Sequence, residues 1–418
     1  MIDSLRKGWC PGALAPMLSG DGYIFRLRLT NGVVTFVQAK IFADLARRYG
    51  NGAFDLSARA NLQMRGVAGE KIEASQKELR GLGLLDADPR AEAVRNVVPS
   101  PLAGFDPSAA LDARPLAAAL EALLTRERAL HDLPAKFGFA IDGGGLLPLD
   151  VATDIVFIAE SPGRLAIVLG GVIAGAVAPE HLCAAAEGLA RNFLRLRGED
   201  RRMAATVARL GVEPLIENVT VMASQRIPPS ADPLARNDGL LGARSCGEGA
   251  FVGAGLLFGR IEAEALEALA REAEAHGGAE LRLTPWRTIL AVGLARAAAE
   301  ALAARLATLG FLIDRNDSRL AFTACAGAPA CPSARGDTRS LALALAPHWS
   351  AERRRIHISG CVKGCALHAP ALTFVAESDG YALVENGLAR DAPSSRGLDL
   401  AAVKDKLLSL KERGLDRL

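Results

Sequence analysis

The chain has 418 residues, half of them apolar and 23% charged, which predicts roughly two to four packed lobes and excludes a disordered chain. Lys plus Arg (49) nearly balances Asp plus Glu (47), so no nucleic-acid partner is expected and any positive field must be local. Residues 1–16 carry Arg6 and Lys7 but no sustained apolar run before Cys10-Pro11-Gly12, so a signal peptide is not expected and the chain is expected to be cytoplasmic.

In chain order, a small module comes first: a strand over 23–29, an amphipathic helix over 37–49 with Ile41, Leu45 and Tyr49 on one face, and a strand over 53–67. On that last strand Arg59, Asn61, Gln63 and Arg65 alternate with Ala60, Leu62 and Met64. Alternation places four polar donors on one face. Such a face suits a ligand with several carboxylates, because guanidinium groups bind carboxylates bidentately; it equally suits the solvated side of an ordinary sheet. Arg95-Asn96-Val97 and Lys136-Phe137-Gly138 add basic groups further along. The most apolar stretch, 166–178, contains Gly170, Gly171 and Gly175 and is too short to cross a bilayer, so it reads as buried strand and turn with no membrane contact. A turn-rich segment at 228–239 precedes a second module: a strand over 250–258, a helix over 263–276 and a strand over 279–292 that bears Arg287.

The two modules echo each other. A shift of 227 positions brings Gly20-Asp21-Gly22 onto Gly247-Glu248-Gly249, Gly32 onto Gly259 and Gly66 onto Gly293. A second echo, at an offset of 217, sets Phe157-Ile158-Ala159-Glu160-Ser161 against Phe374-Val375-Ala376-Glu377-Ser378. Two echoes in one order predict duplicated halves. The expected fold is α+β, each half a ferredoxin-like small module followed by a larger α/β lobe, with boundaries at 1–75, 76–235, 236–305 and 306–418. The two modules are expected to pair about a pseudo-twofold axis.

The last quarter holds Cys325 and Cys331 with five residues between them, then Cys361 and Cys365 with three between. Two short-spaced thiol pairs can converge on one metal centre, an iron-sulfur cluster or zinc. The loop Ala326-Gly327-Ala328-Pro329-Ala330 consists of small residues that let backbone amides approach a bulky cluster, whereas structural zinc sites use shorter gaps. Two disulfides are the bland alternative. In the 227 register Cys325 falls opposite Val98 and Cys331 opposite Gly104, so only the second half is expected to hold metal.

Together these features resemble the sulfite and nitrite reductase superfamily, in which duplicated halves bear an Arg-rich strand, an Arg-Asn motif, a Lys-Phe-Lys motif and a 4Fe-4S cluster on Cys-x5-Cys and Cys-x3-Cys. Arg59, Gln63, Arg65, Arg95, Lys136 and the four cysteines match by position. Gly138 stands where the assimilatory reductases carry a second lysine, and Val362-Lys363 where they carry Pro-Asn. With Cys10-Pro11-Gly12, these departures make the chain similar to the precorrin-3B synthase family of aerobic cobalamin synthesis. The resemblance implies O2-dependent hydroxylation of precorrin-3A with γ-lactone formation, a 4Fe-4S cluster, a mononuclear non-haem iron and electrons originating in NADH. It implies binding of an anionic tetrapyrrole by Arg59, Asn61, Gln63, Arg65, Arg95, Lys136, Arg287 and Lys363, with Arg95 and Lys136 as catalytic candidates. His357, His368 and Cys10 are candidate ligands for the non-haem iron. No Gly-rich NADH fingerprint stands out, so a separate reductase is expected to deliver electrons. The competing readings are a sirohaem-dependent nitrite or sulfite reductase and a non-catalytic iron-sulfur electron carrier.

Overall fold

The computed structural model describes residues 8–223, 237–350 and 354–412. Arg6, Lys7 and most of the expected joint at 228–239 lie outside these residues. Twenty strands among them form four five-stranded sheets. In the first half the strands are β1 (Met17–Ser19), β2 (Gly22–Leu27), β3 (Val33–Val34), β4 (Ala53–Leu56), β5 (Leu62–Val67), β6 (Val97–Pro99), β7 (Phe139–Asp142), β8 (Ile155–Ser161), β9 (Arg164–Leu169) and β10 (Val172–Val177). In the second they are β11 (Gly242–Cys246), β12 (Gly249–Gly255), β13 (Arg260–Glu262), β14 (Glu280–Leu283), β15 (Thr288–Leu294), β16 (Phe322–Ala324), β17 (Ile356–Ser359), β18 (Ala371–Glu377), β19 (Gly380–Gly387) and β20 (Ser395–Leu398).

The small modules exchange strands. One sheet runs β1-β2-β5-β4-β13 and the other β11-β12-β15-β14-β3, so each module contributes the edge strand of its counterpart. Arg260 to Glu262 pair antiparallel with Asp55 to Ala53, while Val33 and Val34 pair with Arg282 and Leu281. Helices Phe36–Tyr49 and Ala263–Ala275 start 227 positions apart and pack over the joined sheets. Phe25, Phe42, Phe54, Leu266, Leu269 and Ile289 belong to one continuous core shared by both modules. The expected pseudo-twofold pairing is therefore present, and it is tighter than two modules merely in contact.

The expected single strands over 53–67 and 279–292 are each a hairpin. Ala60 and Arg287, again 227 positions apart, both have positive φ (52° and 59°) and turn the chain between β4 and β5 and between β14 and β15. That turn breaks the alternation on which the polar face was predicted. Arg59 lies in the turn, and only Gln63 and Arg65 lie on β5.

The larger lobes repeat one topology. In each, three strands are parallel (β6-β7-β8; β16-β17-β18) and two more follow antiparallel. The echo at 217 is β8 against β18, both of which pair by the same register to their neighbours. Separate cores fill the lobes, around Phe139, Phe157 and Phe193 in the first and Phe322, Phe374 and Trp349 in the second. The apolar stretch 166–178 is most of the β9-β10 hairpin. Among the described residues no helix is long and apolar enough to cross a membrane.

Candidate functional site

The parallel strands β16 and β17 end side by side, and each runs directly into a cysteine loop. Cys325 follows β16 and Cys361 lies two residues beyond β17. The four thiols act on one another electrostatically: burial first, then the neighbouring Cys361, Cys325 and Cys331, pushes the Cys365 thiol up, although Lys363 opposes this. Burial also raises Cys361, whose sulfur accepts from the Lys363 backbone N–H. Gly360 N–H donates to Cys325 Sγ at 3.2 Å, and Thr338 Oγ1, which donates to the Cys325 carbonyl, lies 3.9 Å from the same sulfur. All four cysteines are free thiols, so the disulfide alternative is not what the chain forms. Buried amides aimed at sulfur and small-residue loops fit a cluster of anionic thiolates.

The first lobe carries the same backbone arrangement without sulfur. The sheet registers equate Val97 with Phe322 and Phe139 with Ile356, which places Ser100, not Val98, at the position of Cys325. Ser100 N–H donates to Ile141 O just as Cys325 N–H donates to Ile358 O. Gly143 N–H donates to Ser100 Oγ at 2.9 Å, the counterpart of Gly360 to Cys325. Ser100 Oγ also donates to Asp142, which accepts from Gly144 and Leu149, so hydrogen bonds close the place that thiols occupy in the other half.

The basic residues do not form one face. Arg65, 4% exposed, is held by Asp21 (2.8 Å) and Asp55 (3.6 Å), and Arg95 by Asp86 (3.0 Å) and Glu121 (3.1 Å). Both were expected to bind a ligand; in this structure protein carboxylates take their donors. Gln63, with its amide oxygen toward Arg26, accepts from Nε (3.1 Å) and Nη2 (2.8 Å), and Asn61 donates to the Arg59 carbonyl. Lys136 is exposed on a turn whose carbonyl accepts from Arg59, and Lys363 lies in the second cysteine loop.

Three guanidiniums differ. Arg28 donates to Asn96 Oδ1 and the Arg95 carbonyl, Arg59 to the Lys136 carbonyl, and Arg287 to the Ala366 carbonyl at 3.0 Å. None is within ion-pair distance of a carboxylate among the described residues. Burial, then Arg26, pushes Arg28 down to about 9; burial and Arg26 push Arg59 to about 10; burial and Arg339 push Arg287 to about 10. All three remain protonated near neutrality. Arg28 and Arg59 line a recess between the first module and its lobe, and Arg287 lines the equivalent recess with Arg319 and Arg355, close enough to Cys325 to feel its charge. Sequence reading missed Arg26 and Arg28, although their own alternation at the end of β2 was available as a signal.

Gly138 N–H donates to Asp154, and a side chain there would begin 2.8 Å from Thr153 Oγ1, so the position that holds lysine in the reductases is closed by the β7-β8 connection. His357 is buried on β17 and lies near enough to His368 and Arg287 that, after burial, both lower it, to about 4. Cys10 is half-buried near Arg59. Among the described residues no three His, Cys, Asp or Glu groups assemble to hold a single metal ion. No ligand set for the expected mononuclear iron follows from these positions.

The nitrite/sulfite reductase ferredoxin-like half domain matches residues 15–82 and 245–309, and the nitrite and sulphite reductase 4Fe-4S domain matches residues 90–227. These matches define the superfamily; the second covers the lobe whose counterpart of Cys325 is Ser100. A precorrin-3B synthase of Sinorhizobium sp is 33% identical over 411 residues, covering 94% of this chain and 86% of that protein. The chain belongs to the precorrin-3B synthase family. A ferredoxin-nitrite reductase of Synechococcus elongatus is 27% identical over 377 residues, covering 82% of this chain and 74% of its own length. The structure of the Mycobacterium tuberculosis NirA protein superposes with a TM-score of 0.72 over 92% of this chain and 79% of that one, at 20% identity, a likeness of fold.

Proposed function

We propose that this protein is a precorrin-3B synthase: it binds precorrin-3A, hydroxylates the meso carbon joining rings A and D with O2, and allows the ring A acetate to close a γ-lactone. The observation that carries this reading is a set of protonated guanidiniums, buried Arg28 and half-buried Arg59 and Arg287, with no carboxylate within ion-pair distance among the described residues. A buried charge without a partner is unfavourable, and a ligand edged with acetates and propionates supplies the missing anions. A simple electron carrier has no use for such groups.

Cys325, Cys331, Cys361 and Cys365 are read as ligands of a 4Fe-4S cluster, which when bound supplies electrons one at a time. The chain's own part is to hold the thiolates with amide donors, to keep Arg287 beside them and to fix the substrate edge through Arg28 and Arg59, with Lys136 and Lys363 as further cationic contacts. The electrons are proposed to originate in NADH and to arrive through a separate reductase. In the alternative, a sirohaem-dependent nitrite or sulfite reductase, a lysine would be needed where Gly138 is closed in.

The test is anaerobic purification followed by iron and sulfide analysis and an optical spectrum. We expect broad brown absorption without the strong red-region bands of sirohaem, and loss of iron and sulfide in each Cys→Ser variant at the four positions but not in Cys183→Ser. Arg59→Ala should weaken binding of a polycarboxylate tetrapyrrole such as uroporphyrin about tenfold or more, since charge-assisted hydrogen bonds contribute roughly 1.5–3 kcal/mol. Sirohaem bands with sulfite or nitrite turnover would replace this reading with the alternative.

A further inference from the structure

Three donors from the first small module converge on a single oxygen in the cysteine loop of the opposite half. The Ala330 carbonyl accepts from the Ser19 hydroxyl at 2.7 Å, from Arg65 Nη2 at 3.0 Å and from Gly20 N–H at 3.1 Å. A carbonyl offers two lone pairs, so a third donor is more than satisfaction of a buried acceptor requires. Ala330 precedes Cys331, and this oxygen belongs to the peptide unit whose N–H, on Cys331, donates to Gly327 O at 2.8 Å. The unit is thus fixed at both ends.

The approach is close. A side chain at Gly20 would begin 2.1 Å from Pro329 O, so only glycine lets the β1-β2 turn lie on the loop. Arg65 is aimed by Asp21, and Asp55, which shares Arg65, also binds Arg339 at 2.9 Å. Arg339 stands on helix Thr338–Leu345, just past the loop. The first module therefore grips the loop directly and, through Asp55, the helix that follows it.

We infer that Ser19, Gly20 and Arg65 are positioning residues of the thiolate centre: they fix the Ala330–Cys331 peptide and so hold Cys331 in place to bind the cluster. This rests on reading the four cysteines as cluster ligands. Without the grip the loop opens locally and surrenders iron faster. Arg65 also balances Asp21 and Asp55; its loss leaves excess negative charge beside an anionic centre, which opposes reduction.

The experiment compares the full-length, anaerobically reconstituted protein with its Ser19→Ala, Arg65→Met, Arg65→Met/Asp21→Asn and Cys331→Ser variants. It records iron and sulfide content, the rate of bleaching by an iron chelator, the midpoint potential, and unfolding of the metal-free chain. We expect Arg65→Met to bleach at least about fivefold faster, the ratio that a local weakening near 1 kcal/mol gives, with a midpoint potential shifted negative. Adding Asp21→Asn should return the potential toward wild type but not the bleaching rate, because charge is rebalanced while the bond to Ala330 is still missing. Ser19→Ala should bleach faster with unchanged potential and unchanged unfolding, which keeps the test decisive if Arg65→Met does not fold. Wild-type bleaching and potential in both single variants overturn the inference. Full iron content in Cys331→Ser overturns the ligand reading itself, and the inference with it.

Discussion

Arg95 and Arg59 carry the same charge and differ in what answers it. Arg95 sits between Asp86 and Glu121, whose side chains are 11% and 9% exposed, so Arg95→Ala leaves two carboxylates buried without their cation. Breaking a buried pair typically destabilises by about 3–5 kcal/mol, and we expect a loss of that order in urea unfolding of the metal-free chain. Arg59→Ala removes a group that binds only a carbonyl, and we expect unfolding within about 1 kcal/mol of wild type while tetrapyrrole affinity falls. If both variants lose stability equally, Arg59 is structural and does not serve to bind the tetrapyrrole. The sequence showed both residues as basic and could not separate them, because the distinction lies in carboxylates from other elements, Asp86 and Glu121. For the same reason Arg65 read as a ligand contact: Asp21 is remote in the chain, and Asp55 comes alongside only because β4 and β5 form a hairpin.

At the level of elements, the exchanged strands are where each small module depends on the other. Ile261 of β13 is 3% exposed, pairs with Phe54 and packs into the shared core. Ile261→Ala should destabilise by about 2–4 kcal/mol, whereas Leu18→Ala, at a side chain 54% exposed, should stay within about 0.5 kcal/mol, both read from urea midpoints. The repeat made much of this legible. Positive φ recurs at the 227 spacing in Asn31 and Phe258, in Ala60 and Arg287, and in glycine pairs such as Gly32 and Gly259 or Gly66 and Gly293, and only the glycine pairs announce themselves. The turns at Ala60 and Arg287 were therefore hidden, and each hairpin read as one long strand. The exchange itself was invisible because β3 and β13 are two and three residues long, too short to show a period.

Across the whole molecule, duplication gave two equivalent lobes and only the second carries the paired cysteine loops, the first lobe's Cys183 standing apart on a helix. The four cysteines were the most legible feature because spacing is a property of the chain. The equivalence of Cys325 to Ser100 needed strand registers, since the offset between the lobes departs from 227. Residues 1–230 and 231–418 expressed separately should each fail to give a soluble monomer with a cooperative unfolding transition, because each lacks an edge strand and half of the shared core. Expressed together they should copurify as a one-to-one complex in size-exclusion chromatography. A stable, cooperatively folded half on its own would contradict the dependence argued here.

The exchange also sets a timetable for synthesis. As the chain leaves the ribosome, β4 is made early but must wait about two hundred residues for β13 to cover its edge, while the whole first large lobe is synthesised in the interval. Until Arg260 to Glu262 emerge, the β4 edge is an open template for pairing with another nascent chain. The cysteine loops appear later still, after both small modules have closed, so the proposed cluster ligands emerge only when the arm of Ser19 and Gly20 already stands in place. Late translation, not metal supply, then decides when the thiolates become available, and a pause before β13 is the moment at which this chain is most exposed to aggregation.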